Sequence, residues 1–177
     1  MITLEPTADG SNTLYVPELN EHYHSVKGAL TESAHIFIQM GLNHSQAVNP
    51  RVLEIGFGTG LNAFLTLLEA EKNQKAIHFT SIERFPLPEE IVRELAYPET
   101  IAPEECEKFY ALHSVPWNQE VKITSYFTLH KIEGDFTHFS FSEYYDVIYF
   151  DAFAPEKQPE MWNQLLFNSL YNQMNPG

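Results

Sequence analysis

The sequence predicts an α/β fold in which helices cover both faces of a mainly parallel, doubly wound β-sheet. Three observations support this class. Beyond residue 50, short apolar runs typical of buried strands alternate with segments of helical periodicity. A glycine-rich turn joins the first of these strands to the first helix, and acidic residues stand directly after several strands. Since strands that alternate with helices are joined by right-handed crossovers, the strands are expected to run parallel.

The N-terminal part of the chain, residues 1–45, predicts a β-hairpin followed by a helix. Turn-forming residues separate two β-prone runs, at 2–4 and 13–16. The sequence Thr31-Glu32-Ser33 then opens a stretch whose apolar residues recur at helical spacing. We therefore expect a hairpin and a helix to precede a core at 46–177, all within a single domain.

The core is predicted to contain five strand segments and four helices. Each strand segment is a short apolar or β-branched run, and each helix shows apolar residues on one face. The predicted strand segments are 52–55, 77–82, 121–127, 128–132 and 146–150, and the predicted helices are 61–71, 88–95, 103–113 and 160–173.

The end of the chain does not complete this pattern. Asn175-Pro176-Gly177 is typical of a helix stop, and no strand follows the last predicted helix. A doubly wound sheet is expected to continue, because the strand at 146–150 would otherwise be an uncovered apolar edge. We therefore expect this chain to lack the C-terminal strands of its fold.

The composition narrows the class of protein. The chain has 177 residues, 44% apolar and 14% aromatic, which is enough for one folded domain with a core. Its 10 Lys and Arg against 24 Asp and Glu give a net charge of −14, which disfavours a general nucleic-acid-binding module. The sequence has no apolar run that would span a membrane and no signal-peptide pattern, and its single Cys106 suits a reducing compartment. We therefore expect a cytoplasmic protein.

The turn after the first buried strand is the most informative motif. Its glycines, Gly56, Gly58 and Gly60, follow Glu54 in the form E-x-G-x-G-x-G. The dinucleotide fingerprint G-x-G-x-x-G would need a glycine where this chain has Leu61. The motif instead resembles motif I of the class I S-adenosylmethionine-dependent methyltransferases, and an acid at this strand end suits a cationic ligand better than a diphosphate.

A second acid, Glu83, ends the next strand 23 positions after Gly60. A carboxylate in this place can accept hydrogen bonds from both hydroxyls of a ribose. A third acid, Asp135, follows the β-rich segment within Gly134-Asp135. Either it forms a Gly-Asp turn, or it meets the adenine amino group, as the acid at the third strand end commonly does in that methyltransferase class.

The strand at 146–150 runs directly into Asp151, followed by Phe153 in a loop. Ligands in such sheets bind beyond the carboxyl ends of the strands, so Asp151 is expected in the same crevice as the acids above. The placement resembles the D-P-P-Y loop of amino-group methyltransferases. A carboxylate there can accept a hydrogen bond from an amine and take its proton, while Phe153 either packs against the substrate or only against its neighbours.

Four motifs, in order along the chain, resemble the methyltransferase domain of the MnmC family. They are residues 23–38, with Tyr23-His24-Ser25 and His35-Ile36-Phe37-Ile38; Gly56-Phe57-Gly58-Thr59-Gly60-Leu61-Asn62; Glu83-Arg84-Phe85-Pro86-Leu87; and Asp151-Ala152-Phe153-Ala154-Pro155 with Pro159-Glu160-Met161-Trp162. The resemblance implies a Rossmann-like class I methyltransferase that uses S-adenosylmethionine and methylates the aminomethyl group of a tRNA wobble uridine.

The resemblance also implies roles for individual residues. Asp151 would face the amine, with Phe153 as its aromatic neighbour. Tyr23, Glu32 and Ser33 would lie near the amino-acid head group of the cofactor. The remaining cofactor-binding positions would be Glu54, Gly56, Gly58, Gly60, Asn62, Glu83 and Asp135.

The expected partners follow from the same resemblance. The substrate would be tRNA, and a partner oxidoreductase could supply the aminomethyl precursor, since some members are fused to one. The segment at 83–108 carries 8 of the 24 acidic residues against 3 basic ones, so tRNA is expected to avoid that face. The scattered histidines lack a third ligand at zinc spacing, and no metal site is expected.

Two other functions stay open at this point. The same sheet could serve an aminopropyl- or methyltransferase acting on a small cationic amine such as a polyamine, which the acidic composition would suit. A protein that keeps the fold and binds the cofactor without catalysis, in a regulatory role, is the alternative of another class.

Overall fold

A five-stranded sheet forms the centre of the computed structural model, which describes residues 1–24, 27–151, 153 and 156–176. The strand order is β6-β7-β5-β4-β8. Four strands run parallel, and only β6 at the edge is antiparallel to its neighbour. The strands span Arg51–Ile55 (β4), Ile77–Glu83 (β5), Gln119–Thr124 (β6), Phe127–Glu133 (β7) and Val147–Phe150 (β8).

Side chains from successive positions of each strand enter two different cores. Val52 of β4 belongs to the larger apolar cluster together with residues of the helix Leu61–Asn73 (α2), whereas the adjacent Leu53 joins a smaller cluster with Leu170 on the other face. This alternation is the period of two that a strand imposes. Helical segments therefore cover both faces, and the predicted mainly parallel α/β class is confirmed.

A separate three-stranded antiparallel sheet forms the N-terminal part: β1 (Thr3–Pro6), β2 (Asn12–Val16) and β3 (Glu21–His22). The predicted hairpin is present, and β3 extends it. The following helix differs from the expectation, because α1 covers Ala29–Ser33 and then widens into a π-helical segment at Ala34–Gln39.

The acidic segment between β5 and β6 holds three helices where the sequence predicted two. They are α3 (Glu89–Leu95), α4 (Tyr97–Ile101) and α5 (Cys106–Ser114). Ala96 adopts a left-handed conformation, with φ of 53°, that ends α3 before α4 begins. A three-residue 3₁₀ turn precedes α5.

The last helix is shorter than predicted. A 3₁₀ turn at Pro159–Met161 comes first, and α6 then covers Gln164–Asn172. The side chain of Asn163 accepts a hydrogen bond from the Leu165 amide at 2.7 Å, a helix cap that fixes where α6 begins. Among the helices of the described residues, none has both the length and the apolar character needed to cross a membrane.

Candidate active site

A cavity of about 470 Å³ lies at the carboxyl ends of the parallel strands, where the sequence placed the ligand crevice. The N-terminal sheet and α1 close one side of it, and the loop after β8 closes another. Most of the residues assigned to the site by sequence line this cavity together. They are Tyr23, Glu32, Gly56, Gly58, Asn62, Glu83, Asp135, Asp151 and Phe153.

The glycine turn and Glu83 are joined by hydrogen bonds. The Gly58 amide donates to Glu83 Oε2 at 2.9 Å, and the Phe85 amide donates to the other carboxylate oxygen at 2.8 Å. Gly58 has a φ of 53°, and a Cβ added there would lie 3.3 Å from the Tyr23 ring, so the turn requires glycine at this point. A carboxylate has about four acceptor positions, which leaves room for ribose hydroxyls on Glu83.

Burial dominates the electrostatics of Glu83. It raises the pKa of this carboxyl above its ordinary value, while the backbone hydrogen bonds from Phe85 and Gly58 oppose the rise. The nearby Tyr23 hydroxyl is also buried, and together with the charge of Glu83 this raises the pKa of Tyr23 to about 12. Tyr23 is therefore a neutral hydrogen-bonding group in this wall of the cavity.

Glu54 occupies a position different from the predicted one. Its side chain is fully buried beneath the turn, on the α2 face of β4, and does not line the cavity. Ser81 Oγ donates a hydrogen bond to Glu54 Oε1 at 2.7 Å. Burial, with smaller contributions from the charges of Asp151 and Glu83, raises the pKa of Glu54 well above its ordinary value and so favours the neutral form of this carboxyl.

Two further assigned residues lie outside the cavity wall. Ser33 is completely buried in α1, and its hydroxyl has no hydrogen-bond partner among the described residues. Gly60 is buried at the start of α2 with a φ of 77°, where its neighbour is the His113 ring rather than the cavity. The geometry gives both residues packing positions, and it does not show the cofactor contacts expected of them.

Asp151 stands at the end of β8 and is the acid most suited to proton transfer. Asn62 Nδ2 donates a hydrogen bond to Asp151 Oδ2 at 3.1 Å. Burial raises the pKa of Asp151 to about 6; the Asn62 hydrogen bond opposes the rise and the charge of Glu32 adds to it. A carboxylate with this pKa is a proton acceptor that works near neutral pH.

The loop after Asp151 carries an aromatic wall. The Phe153 ring meets the Tyr23 ring edge to face, with centroids 5.5 Å apart, and the Phe153 carbonyl accepts a hydrogen bond from Trp162 Nε1 at 2.8 Å. Trp162 thus packs against this loop. The other residues of the loop motif, 152, 154 and 155, and Ser25 of the N-terminal motif lie outside the described residues.

Asp135 combines a turn with a place in the cavity wall. Its Oδ1 accepts hydrogen bonds from the Thr137 amide at 2.9 Å and hydroxyl at 2.6 Å, and its Oδ2 lies 3.3 Å from Arg84 Nη1. The Thr137 hydrogen bonds and the Arg84 charge hold the pKa of Asp135 below its ordinary value. Asp135 thus caps the 3₁₀ turn Phe136–His138, and its contact with adenine stays a prediction.

Sequence reasoning missed the contribution of His24 and Thr59 to the cavity wall. His24 Nε2 lies 2.8 Å from Thr59 Oγ1, and burial lowers the pKa of His24 to about 4, which keeps the ring neutral. The two residues are 35 positions apart, so no local pattern could have paired them. The signals were the two motifs that contain these residues, Tyr23-His24-Ser25 and Gly58-Thr59-Gly60.

The described lining of the cavity is strongly acidic. It carries six carboxyl side chains, and its one arginine, Arg84, is already paired with Asp135. Such a lining favours a cationic ligand over a polyanion. The carboxyl side chains belong to Glu21, Glu32, Glu83, Asp135, Asp151 and Glu160.

Comparison with known proteins agrees with this chemistry. Residues 103–177 match the model of a family described as S-adenosyl-L-methionine-dependent methyltransferase. The tRNA 5-methylaminomethyl-2-thiouridine biosynthesis bifunctional protein MnmC of Leptospira borgpetersenii serovar Hardjo-bovis is 34% identical over 167 residues, which cover 85% of this chain and 25% of that protein. The protein of the same name from Delftia acidovorans is 33% identical over 169 residues, with the same shares covered.

A solved structure supports the relationship at the level of the fold. The crystal structure of MNMC2 from Aquifex aeolicus matches with a TM-score of 0.75 and 26% identity, covering 99% of this chain and 57% of that one. The chain spans about a quarter of the length of the curated relatives it matches. The resemblance predicted from four sequence motifs is confirmed by these comparisons.

Proposed function

Because this chain is related to the S-adenosylmethionine-dependent methyltransferases of the MnmC proteins, we propose that it methylates the aminomethyl nitrogen of a tRNA wobble uridine. The observation that carries the proposal is the position of Asp151. Its half-buried carboxylate lies in the same cavity as the glycine turn and Glu83, and burial raises its pKa to about 6. A methyl donor and an amine brought into this cavity would therefore meet beside a proton acceptor.

The described residues fit S-adenosylmethionine. Glu83 has acceptor positions left for ribose hydroxyls, and the acidic lining suits a sulfonium cation. Gly56 has a φ of 91°, and a Cβ added there would lie 3.3 Å from the Asp151 carbonyl, so a side chain would crowd the place where the turn meets the end of β8. When bound, this cofactor supplies an electrophilic methyl group.

Asp151 would act on the amine before and during the transfer. An amine must be neutral to present its lone pair, and Asp151 can accept a hydrogen bond from it and take the proton that it loses. Asn62 holds one oxygen of this carboxylate in place at 3.1 Å. Tyr23 and Phe153, whose rings meet edge to face, provide an apolar wall that limits how the uracil ring can turn.

A second function is supported by the same acidic lining. Six carboxyl side chains around one cavity would also suit a polyamine as the methyl or aminopropyl acceptor. The aromatic wall of Tyr23 and Phe153 favours the first proposal, since a flat base offers it a face for packing and an aliphatic polyamine does not.

The deciding experiment follows the label from methyl-labelled S-adenosylmethionine. The chain is incubated separately with tRNA carrying aminomethyluridine and with spermidine. We expect label in the tRNA and none in spermidine. Labelled spermidine with unlabelled tRNA would overturn the proposal in favour of methyl transfer to a polyamine, and bound cofactor without label in either acceptor would exclude methyl transfer to both.

Substitution of Asp151 tests its role directly. We expect Asp151→Asn to lower kcat by about 10²- to 10⁴-fold, because the amide cannot take a proton, with cofactor binding retained. Glu156→Gln, in the same loop but exposed and outside the cavity, serves as the control. Unchanged turnover in Asp151→Asn would remove its assigned role.

The biological setting belongs to the proposal as well. The relatives act in tRNA modification by name and are bifunctional. We infer that this protein works in the cytoplasm, on tRNA whose aminomethyl group an oxidoreductase partner has exposed. The acidic face at 83–108 would point away from the nucleic acid.

A further inference from the structure

A lysine is buried directly behind the glycine turn. Lys131 of β7 is 1% exposed, and its Nζ donates a hydrogen bond to the His113 carbonyl at 2.7 Å. The ammonium also lies over two rings, 4.5 Å from the centroid of Trp117 and 5.5 Å from that of Phe57. Within the described part of the chain, no carboxylate lies within ion-pair distance of Nζ. A buried cation held by neutral groups is costly, so its contacts call for a functional explanation.

His113 connects Lys131 to the glycine turn, because it contacts both. His113 Nε2 lies 3.0 Å from the Thr59 carbonyl, and its ring packs against Phe57 at 5.2 Å between centroids. The Phe57 ring also packs against the Trp117 ring, with centroids 5.9 Å apart. One group of side chains therefore contacts the turn on both sides of Gly58, at Phe57 and at Thr59. We name Phe57, His113, Trp117 and Lys131 the lysine clamp.

The side of the lysine clamp that faces away from the glycine turn is not fully packed. A second cavity of about 470 Å³ lies between α3 and α5, and Phe57, His113 and Trp117 all line it. These rings have space to move outward if the contact with the ammonium is lost. The Gly58 amide, which donates to Glu83, lies in the segment that would move with them.

We propose that Lys131 is a positioning residue: through His113 and Phe57 it holds the glycine turn in the conformation that binds the methyl donor. The identity of the ligand rests on the proposed function. The contacts that fix the turn are independent of it. Lys131 lies behind the cavity wall and does not line it, so its effect reaches the cofactor only through the turn.

The test compares cofactor binding in matched variants. Lys131→Met keeps the length of the side chain and removes the charge, and Lys122→Met removes an exposed lysine from the neighbouring strand β6. Titration calorimetry with S-adenosylmethionine is expected to give a Kd raised about tenfold for Lys131→Met, with kcat at saturating cofactor within about threefold of wild type. Lys122→Met should match wild type in both measurements.

Trp117 supplies a second readout that a general loss of stability would not reproduce. The chain has two tryptophans, so in a Trp162→Phe background the emission comes from Trp117 alone. Because Lys131 already holds the rings in place, we expect S-adenosylmethionine to leave this emission nearly unchanged when Lys131 is present and to shift it in Lys131→Met, where the ligand has to order them. Circular dichroism shows whether each variant is folded.

The possible results separate the two proposals. A wild-type chain that does not bind S-adenosylmethionine would overturn the proposed function together with this inference. A wild-type chain that binds it with the same Kd as Lys131→Met would overturn the inference alone. If Lys131→Met does not fold, Trp117→Leu decides, since it keeps the lysine hydrogen bond and removes one ring: we expect a Kd raised several-fold, and an unchanged Kd would overturn the inference.

Discussion

Asn62 and Asp151 are joined by a hydrogen bond of 3.1 Å that links the start of α2 to the end of β8. The two residues are 89 positions apart in sequence, and Asn62 is only 3% exposed. A carboxylate that receives a hydrogen bond is favoured in its charged form, so Asn62 counteracts the burial that raises the pKa of Asp151. The residue that orients the proposed proton acceptor thus also sets the pH at which that acceptor is available.

The first prediction concerns the pH dependence of methyl transfer. Asp151 must be ionised to take a proton, so the rate should fall as the pH drops through about 6, its pKa in the folded protein. Removal of the donor in Asn62→Ala should move the midpoint of this fall upward by about one pH unit, the size expected for one hydrogen bond to a charged group. The measurement is kcat/KM as a function of pH, which reports the ionisation of the free enzyme.

Asn73→Ala is the matched control, because Asn73 is an exposed asparagine at the other end of α2. Its profile should follow that of wild type. If Asn62→Ala loses activity equally at every pH, the asparagine acts only on structure, and its effect on the ionisation of Asp151 is disproved.

The second prediction concerns the charge of Glu54. Because burial favours the neutral form of this carboxyl, Glu54→Gln tests it with a neutral group of the same shape that can still accept the Ser81 hydrogen bond. We expect the Kd for S-adenosylmethionine to stay within about threefold of wild type. Glu54→Ala, which leaves a cavity and an unpaired Ser81 hydroxyl, should destabilise the fold by about 2–4 kcal/mol.

Calorimetry and urea unfolding measure these two effects. A Kd raised a hundredfold in Glu54→Gln would show that the carboxyl is ionised and attracts the cationic cofactor, as the sequence alone suggested. That result would contradict the neutral, structural role that its position beneath the turn indicates.

The difference between the two views of Glu54 shows what the sequence could predict. The order of strands, the glycine turn and the acids at the strand ends are local patterns, and the structure places Glu83 and Asp151 at one cavity as expected. The direction in which the Glu54 side chain points was not predicted correctly. Glu54 follows Val52 by two positions and so shares its face of β4, which turns the carboxyl toward α2 and away from the ligand.

Other features depend on contacts between segments that are distant in sequence, and no local sequence pattern predicts them. Lys131 meets His113 across 18 positions, and His113 reaches Thr59 across 54. The start of α1 at Ala29 likewise depends on Asp9 in the hairpin turn, which accepts hydrogen bonds from the Thr31 amide and hydroxyl. Periodicity could find the helix, but it could not find the carboxylate that fixes its first turn.

The third prediction follows from Asp9 and concerns stability in acid. Partial burial raises the pKa of Asp9, but hydrogen bonds from Ser11, Thr31 and Thr7 outweigh it and hold the pKa well below the ordinary range. A lowered pKa in the folded state means that Asp9 stabilises the fold above about pH 4, the value in an unfolded chain, and that this stabilisation is lost as the pH falls further.

Thermal unfolding of Asp9→Asn and wild type at several pH values measures this contribution. At pH 7 we expect the Tm of the variant to be lower by about 2–4 °C, and this difference should shrink progressively as the pH falls below about 4. Glu107→Gln, an exposed carboxylate on α5, should melt with wild type at every pH. A difference in Tm for Asp9→Asn that does not change with pH would contradict the assignment.

The fourth prediction separates backbone strain from packing at the glycine turn. Gly60 and Gly10 have similar positive φ values, 77° and 86°, but a Cβ on Gly60 would lie 2.6 Å from His113 Nε2, whereas nothing lies within 4 Å of one on Gly10. Alanine in a left-handed conformation costs about 1–2 kcal/mol at either place. Because His113 is fixed by Thr59 and Lys131, Gly60→Ala should cost a further 1 kcal/mol or more, roughly the cost of overpacking. Urea unfolding measures the loss of unfolding free energy in each variant. Equal losses would show that the His113 ring moves aside without cost and that the lysine clamp does not hold it.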